Sequence, residues 1–213
     1  MHLQTALDVF RAEFINKFPA EKTAIMQKAI DVLAEEFITR KPVNIGEIAP
    51  DFTLKNAVDK KVSLTEKLTQ GSVILTFYRG GWCPYCNLEL RAYQKLLPEI
   101  QALGASLIAV SPQTPDASLN TTEKNNLEFD VLSDIGSKVA QSYGIAFSLT
   151  NEFKRLYTEL GHALPNINGT DDWVLPVPAT FVINQDQQVT LAHINVDYRN
   201  RLEPEDAISI LKR

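Results

Sequence analysis

Two cysteines three positions apart, Cys83 and Cys86, are best suited to chemistry in this sequence, and no other cysteine occurs among its 213 residues. Thiols at this spacing can close a small disulfide ring and open it again, which predicts a redox-active dithiol. Pro84 is typical of the first helical position, where its missing N–H leaves no hydrogen bond unmade. Cys83 is then the N-cap, where the helix dipole favours a thiolate. Cys86 lies one turn further in, on the same face and more buried.

Zinc binding and a purely structural disulfide are the two other uses of such a pair. A closed zinc site needs four cysteine or histidine ligands. The sequence adds only His2, His162 and His193, with no short histidine pair among them. A structural bond around so small a loop would restrict the unfolded chain little. The composition therefore favours redox chemistry and predicts no metal centre.

The composition of the whole chain narrows the class of protein. A length of 213 residues indicates one domain with an extension. The net charge is −5, and no stripe of basic and aromatic residues suggests nucleic-acid binding. The first residues lack the basic and apolar regions of a signal peptide, and no apolar run is long enough for a membrane span. We expect a soluble cytoplasmic protein in a reducing compartment, where disulfides are usually transient and catalytic.

Residues 1–42 are predicted to form a helical extension that precedes the main domain. Apolar residues recur at three- and four-residue steps over 3–18 and again over 26–37, as on one face of a helix. Pro19 separates the two predicted helices. We expect this N-terminal helical hairpin to pack on its own domain. Formation of a homodimer is the alternative, because an exposed apolar stripe needs a partner.

Residues 43–213 alternate strand and helix patterns and are predicted to form an α/β domain. Predicted strands cover 52–54, 62–64, 73–78, 106–110, 129–132 and an antiparallel hairpin of 179–183 and 189–194, and predicted helices begin at Pro84, cover 136–143, lie around 153–160 and follow Pro204. The polar run 166–172 is predicted to be a surface loop. A βαβ half followed by a ββα half, in a central sheet flanked by helices, is the thioredoxin-like fold. Such sheets react at the carboxyl ends of their strands, where this arrangement places Cys83.

Several short motifs occur together in this domain. They are APDFTL at 49–54, FYRGGWC at 77–83 and PATFVI at 178–183, supported by SPQTP at 111–115 and VLSD at 131–134. In combination, they resemble the peroxiredoxin-like branch of the alkyl hydroperoxide reductase/thiol-specific antioxidant (AhpC/TSA) family. The resemblance implies that Cys83 attacks a hydroperoxide and becomes a sulfenic acid, which Cys86 captures as a disulfide. It also implies that thioredoxin, glutaredoxin or glutathione restores the dithiol.

The sequence departs from that family at two places, which keeps a second activity open. Counted back from Cys83, the hydroxyl that positions a peroxide would be Gly80, and the proline of the motif would be Thr76. Pro178 stands where these enzymes tend to have a catalytic arginine. In thioredoxin-like oxidoreductases, a cis-proline there faces the dithiol, and the backbone before it, here Val177, pairs with a substrate peptide. The resemblance therefore also implies a thiol–disulfide oxidoreductase that acts on protein or small disulfides.

The residues next to the cysteines are candidates for shaping the site. Arg79 would stabilise a thiolate and donate hydrogen bonds to a peroxide oxygen; the alternative is an arginine that points to solvent or pairs with an acid. Trp82 is expected to shield the sulfur of Cys83 from water, with simple packing as the alternative. Pro84 and Tyr85 form the dipeptide between the thiols and complete the substrate-positioning set with Val177 and Pro178.

Other polar residues are assigned no part in the chemistry. The lone His162 and His193 are more typical of surface or packing positions than of proton donors. Glu89 and Arg91, on the helix after the dithiol, are expected to be solvated. No flavin, nicotinamide or haem signature appears in the sequence, so we expect no cofactor, and the dithiol itself carries the electrons.

Three functions stay open at this point: a thiol peroxidase, a thiol–disulfide oxidoreductase, and a non-enzymatic redox sensor or scaffold. The positions of two side chains discriminate between the first two. A cis-Pro178 against the sulfur, with Arg79 pointing away, would favour disulfide exchange. Dimerisation through residues 2–39 without turnover would indicate the third.

Overall fold

A mixed β-sheet forms the centre of the protein in a computed structural model, which describes residues 2–212. The strands within those residues are β1 (Thr53–Asn56), β2 (Lys61–Ser63), β3 (Val73–Phe77), β4 (Ser106–Ser111), β5 (Asp130–Ser133), β6 (Ala146–Ser148), β7 (Val174–Pro176), β8 (Ala179–Ile183) and β9 (Val189–Ile194). Seven of them form one sheet in the order β2-β1-β5-β4-β3-β8-β9, and β6 pairs with β7 separately.

Helices account for much of the remaining chain. They are α1 (Leu3–Lys17), α2 (Ala20–Phe37), α3 (Leu64–Leu68), α4 (Pro84–Ala102), α5 (Pro115–Asn125), α6 (Lys138–Ser142), α7 (Asn151–Glu159), α8 (Leu164–Asn168) and α9 (Pro204–Leu211). Strands β3 and β4 are parallel and are joined through α4, whereas β8 pairs antiparallel with both β3 and β9. These are the predicted βαβ and ββα halves, so the thioredoxin-like fold is confirmed.

Strand β3 is the element that places the dithiol. All five of its residues are buried, as expected for an apolar strand covered on both faces of a sheet. It lies between β4 and β8 in the sheet. A short turn after Phe77 leads directly into α4. The cysteines therefore lie beyond the carboxyl end of a central strand, as the sequence predicted.

The two N-terminal helices pack on the rest of the chain rather than mainly on each other: α1 lies against α4, and α2 against α7. Leu3 and Leu7 of α1 are buried in the same apolar cluster as the cysteines. The carboxylate of Glu203 accepts hydrogen bonds from the backbone N–H groups of Leu3 and Gln4, at 3.0 and 2.7 Å, and so caps the start of α1. Helix α1 therefore packs beside the dithiol.

Some elements were not expected from the sequence. Helix α5 and the short pair β6–β7 were not predicted, and Leu64, expected to end a strand, begins α3 behind the N-cap Ser63. The predicted loop over 166–172 is partly wrong, because α8 extends to Asn168 with a proline in its first turn. None of the helices within residues 2–212 combines the length and the apolar character required to cross a bilayer.

Candidate active site

The dithiol lies at the first turn of α4, as predicted. Cys83 is the N-cap residue, and Pro84 follows in the first turn. Both thiols are free and buried, since Cys83 is 2% exposed and Cys86 is 0% exposed. Cys83 nevertheless lines an open pocket, which Cys86 does not. A small molecule that enters the pocket therefore meets Cys83 first.

The surroundings give the two thiols different acidities. Burial alone would raise the pKa of Cys83, but a hydrogen bond from Cys86 and the positive charges of Arg79 and Arg201 outweigh it and lower that pKa to about 6. Burial, together with the neighbouring Cys83, raises the pKa of Cys86 well above the usual thiol value. At neutral pH, Cys83 is therefore mostly thiolate, the more nucleophilic form, whereas Cys86 is a thiol that donates to it.

Arg79 is a buried cation without a carboxylate partner. Its side chain is 2% exposed, and it forms no ion pair within residues 2–212. The guanidinium carbon lies 3.9, 5.1 and 5.6 Å from the ring centres of Tyr198, Trp82 and Tyr157, and one nitrogen donates to the Tyr157 hydroxyl. The Nε atom has no hydrogen-bond partner in this part of the chain. Neither the solvent-facing nor the acid-paired alternative therefore occurs.

A second buried arginine, which sequence analysis missed, lies behind Cys86. Arg201 donates from Nε to Glu89 Oε2 at 2.8 Å and from Nη2 to Cys86 Sγ at 3.3 Å. The expectation that Glu89 is solvated is wrong, because its side chain is 2% exposed in this ion pair. Arg91 is exposed, as expected. The spacing of Cys86 and Glu89 was an available signal, since residues three apart share one helix face.

The loop before Cys83 depends on two glycines. Gly80 has a φ of 147°, and a Cβ atom there would lie 2.4 Å from Trp82 Nε1, so only glycine lets the indole fold back on the loop. Gly81 is held by its neighbours, because its N–H donates to Gln113 Oε1 at 2.7 Å and its carbonyl accepts from Asn87 Nδ2 at 2.8 Å. The loop that presents the thiolate is therefore fixed on both sides.

Aromatic side chains form most of the wall of the pocket above Cys83. The pocket has a volume of about 170 Å³. Its lining brings together five of the predicted site residues, Arg79, Trp82, Cys83, Pro84 and Tyr85. It also includes residues that were not predicted to take part, among them Phe10, Phe14, Phe18, Tyr157 and His162. The three phenylalanines belong to α1 and the residue after it, so the N-terminal extension builds one wall of the site.

Three aromatic contacts hold this wall in place. The Phe10 ring lies edge-on to Tyr85 with a centroid distance of 5.0 Å, and Tyr85 in turn contacts Tyr198 at 5.7 Å. Trp82 lies against His162 at 5.1 Å. The first two pairs are edge-on, a geometry that adds to the free energy gained from burial alone. These contacts between lining side chains hold the wall of the pocket in a defined arrangement.

Val177 and Pro178 are not among the residues that line this pocket. The Val177 N–H donates to the Ile145 carbonyl at 2.8 Å, and its side chain is buried in the main core. No peptide bond within residues 2–212 is cis, so the bond before Pro178 is trans. Pro178 contributes instead to a narrow gap closed by Ile30 and Leu33 of α2. The backbone N–H that would pair with a substrate peptide is thus already bonded within the chain, and residues of α2 lie beside Pro178.

The two histidines occupy different environments. His162 lines the pocket, where burial followed by the charge of Arg79 lowers its pKa. His193 lies on β9 behind the dithiol, where burial followed by the charge of Arg201 lowers its pKa. Both are therefore neutral at neutral pH. His162, next to Trp82, packs within the site, as expected of a lone histidine.

The fold and this site define a thioredoxin-fold protein with a buried dithiol and a cationic surround. The chain belongs to the AhpC/TSA family, whose model matches residues 45–192. This match covers more than half of the chain and includes both cysteines, and the resemblance seen in the sequence motifs is confirmed. Residues of the N-terminal helices lie outside it.

Individual relatives carry two kinds of name. The chain is 28% identical over 166 residues to chloroplastic peroxiredoxin Q of Gentiana triflora, covering 78% of this chain and 64% of that protein. It is 25% identical over 168 residues to the thiol-disulfide oxidoreductase ResA of Bacillus thuringiensis, covering 78% and 79%. Among solved structures, peroxidoxin BcpB of Mycobacterium tuberculosis has a TM-score of 0.63 at 21% identity, covering 80% and 97%.

These comparisons differ in what they show. The likeness to the solved peroxidoxin concerns the fold alone, because its sequence identity is low. The chain spans slightly less than two thirds of the length of the first curated relatives that it matches. Together with the family match, they show that the chain belongs to the AhpC/TSA family.

Proposed function

We propose that this protein is a thiol peroxidase in which Cys83 attacks a hydroperoxide and Cys86 resolves the product. The observation that carries the proposal is Arg79, a buried guanidinium with an unpartnered Nε in the same pocket as Cys83. A buried cation without a carboxylate is costly unless an anion compensates it. The Cys83 thiolate and a peroxide oxygen that gains negative charge supply such anions.

The first step forms a sulfenic acid. The Cys83 thiolate attacks the terminal oxygen of the hydroperoxide, the O–O bond breaks, and the alcohol or water leaves after taking up a proton. Arg79 lines the pocket, and its guanidinium, which no carboxylate neutralises, stabilises the leaving oxygen as charge develops on it. Aromatic side chains keep bulk water from this point, which strengthens the electrostatic effect.

The second step forms the disulfide. Cys86 attacks the sulfenic acid on Cys83, water leaves, and the two sulfurs become joined. No other cysteine in the chain can resolve the intermediate. A thiol reductant then returns the site to its dithiol form; thioredoxin, glutaredoxin and glutathione are the candidates. Operation in the cytoplasm and dimerisation through residues 2–39 stay predictions; within that range, Val9 and Ile15 of α1 are each 53% exposed.

Thiol–disulfide exchange is the second candidate function. The match to a thiol-disulfide oxidoreductase over 78% of the chain supports it, as does a dithiol at a helix N-cap. Against a protein substrate stand the trans peptide bond before Pro178 and the Val177 N–H, which is already bonded to the Ile145 carbonyl. Arg79 also faces the pocket of Cys83 instead of pointing away. By the criterion set out from the sequence, this geometry favours the peroxidase.

Trapping of the intermediate tests the proposal. Reduced protein is mixed with one equivalent of hydroperoxide, and the products are identified by intact-mass and peptide mass spectrometry. The intact site is expected to give a Cys83–Cys86 disulfide, and Cys86→Ser is expected to give a sulfenic acid on Cys83 that dimedone captures. Cys83→Ser is the control and should stay unmodified at Cys86. Equal slow oxidation of both cysteines would rule the proposal out.

A further inference from the structure

A buried guanidinium behind the dithiol joins a carboxylate to the second thiol. Arg201 contacts Glu89 through Nε at 2.8 Å and Cys86 through Nη2 at 3.3 Å. Its remaining nitrogen donates to the carbonyl oxygens of Tyr198 and Asn200. These bonds occupy the planar fork on three sides. The direction in which Nη2 points, toward the sulfur of Cys86, is therefore fixed.

Neither member of this pair lines the pocket in which a peroxide would meet Cys83, although the charge of Arg201 contributes to the lowered pKa of that thiol. Cys83 and Arg79 line the pocket, whereas Glu89 and Arg201 are not part of its lining. Stability alone gives little reason for the pair, because a buried ion pair often contributes no more than apolar side chains of the same volume. Its position against Cys86 connects it instead to the half of the cycle in which that sulfur changes charge.

The net charge around Arg201 differs between the dithiol and the disulfide forms of the site. Burial raises the pKa of Glu89 to about 7, so its side chain is a carboxylate above that pH. In the reduced site, the guanidiniums of Arg79 and Arg201 are then balanced by the carboxylate of Glu89 and the thiolate of Cys83. Formation of the disulfide removes the thiolate and leaves one positive charge without a partner, which is costly in a buried site. When the disulfide opens and the negative charge appears on Cys86, that charge lies beside Arg201 and balances the unpartnered positive charge.

We propose that Arg201, held in place by Glu89, is a positioning residue that stabilises the Cys86 thiolate released when a thiol reductant opens the Cys83–Cys86 disulfide. The inference rests on the disulfide of the proposed function, although it applies equally to peroxidase and exchange chemistry. Glu89 has a second effect, because its negative charge limits how strongly Arg201 holds that thiolate. The two residues therefore act on Cys86 in opposite directions.

Reduction of the Cys83–Cys86 disulfide takes two successive thiol–disulfide exchanges. A reductant thiolate attacks Cys83 Sγ, the bond between the two sulfurs breaks, and its electron pair goes to Cys86 Sγ, to which Arg201 donates. The Cys86 thiolate then takes up a proton, in keeping with its raised pKa in the reduced site. A second reductant thiol attacks the mixed disulfide on Cys83, which releases the oxidised reductant and leaves the Cys83 thiolate.

Few other groups near this network can carry charge. Besides the two cysteines and two arginines, the titratable side chains facing it are Tyr78, Tyr93 and His193. Burial raises the pKa of Tyr78 to about 12 and raises that of Tyr93 as well, so both stay neutral. The neutral His193 adds no charge. Glu89 and Arg201 are therefore the residues through which the charge behind Cys86 can be changed.

The reduction potential of the dithiol, measured by equilibration with glutathione buffers, tests this inference. Arg201→Met is expected to stabilise the disulfide about tenfold, which lowers the potential by about 30 mV. Glu89→Gln is expected to shift the potential in the opposite direction, because Arg201 is then free to hold the thiolate. Glu99→Gln is the matched control, because Glu99 lies on the same helix as Glu89 but forms an exposed ion pair with Lys212. It should leave the potential unchanged.

A second readout isolates Cys86 itself. In a Cys83→Ser background, the ultraviolet absorbance of the thiolate gives the pKa of Cys86, which Arg201→Met should raise and Glu89→Gln should lower. Shifts in the same direction for both variants, or none beyond the control, would overturn the inference. If Arg201→Met does not melt cooperatively, the sign of the Glu89→Gln shift decides. Neither readout uses a peroxide, so absent peroxide reactivity would count against the proposed function alone.

Discussion

Replacement of Arg79 by glutamine removes the only buried cation that faces the pocket of Cys83 among residues 2–212. An opposite charge within about 4–6 Å lowers the pKa of an acid by about 1–3 units. The pKa of Cys83 is about 6 in the intact site. Loss of the Arg79 charge is therefore expected to raise the pKa of Cys83 to between about 7 and 9. At neutral pH, the thiolate fraction then falls from about nine tenths to between about one half and one hundredth.

A second effect of the same substitution appears only with peroxide. A hydrogen bond from a charged donor is worth about 1.5–3 kcal/mol. Its loss from the leaving oxygen is expected to slow the attack about tenfold to hundredfold even where Cys83 is fully ionised. The two effects separate along the pH axis, because the first disappears at high pH and the second does not.

Two measurements follow these effects. Thiolate absorbance in a Cys86→Ser background gives the pKa of Cys83, and stopped-flow mixing with hydrogen peroxide gives the rate at each pH. Arg79→Lys keeps the charge and should retain most of the lowered pKa, while Arg155→Gln, an exposed arginine on α7, is the matched control. An unchanged pKa of Cys83 in a folded Arg79→Gln protein would refute the electrostatic part of the reasoning.

Three further outcomes are expected. The rate of peroxide attack should rise with pH through about 6 and then level off, because the pKa of Cys83 is depressed and only its thiolate reacts; a midpoint at the usual thiol pKa would contradict this. Gly80→Ala places a methyl group 2.4 Å from Trp82 Nε1, so the tryptophan emission should shift and the rate should fall, and an unaltered emission spectrum would count against the described loop. Phe10→Ala removes the ring 5.0 Å from Tyr85 and should cost about 1–3 kcal/mol in chemical denaturation, less than the about 3–5 kcal/mol of a fully buried phenylalanine, because Phe10 is only half-buried. It should also speed disulfide reduction by a protein thiol more than by a small thiol, whereas equal changes would argue against a shielding wall.

The parts of the site that are local in sequence could be predicted. The Cys83-Pro84 pair fixes a helix start through backbone chemistry alone, so both cysteines were placed correctly. The burial of β3 followed from its continuous apolar run, and the alternating halves of the domain gave the fold. In these cases, the information lies within a few residues of the element it specifies.

The remaining parts depend on contacts that no local pattern reveals. Helix α5 was missed because its buried residues, Ser118, Thr121 and Asn125, are polar and leave no apolar periodicity. Arg201 and Glu89 are 112 positions apart in the chain, and both belong to residue types that are usually exposed. The wall formed by α1 was visible as an apolar stripe, but the sequence did not indicate which surface it covers.

The reactivity of the reduced dithiol toward hydrogen peroxide tests the central claim most directly. Stopped-flow fluorescence follows Trp82 beside the thiolate, with Trp173→Phe as the background so that one tryptophan reports. The account predicts a rate orders of magnitude above that of a free thiol, lost in Cys83→Ser. A rate no better than a free thiol for hydrogen peroxide and for an organic hydroperoxide, together with rapid reduction of a small disulfide, would contradict it and assign the dithiol to exchange.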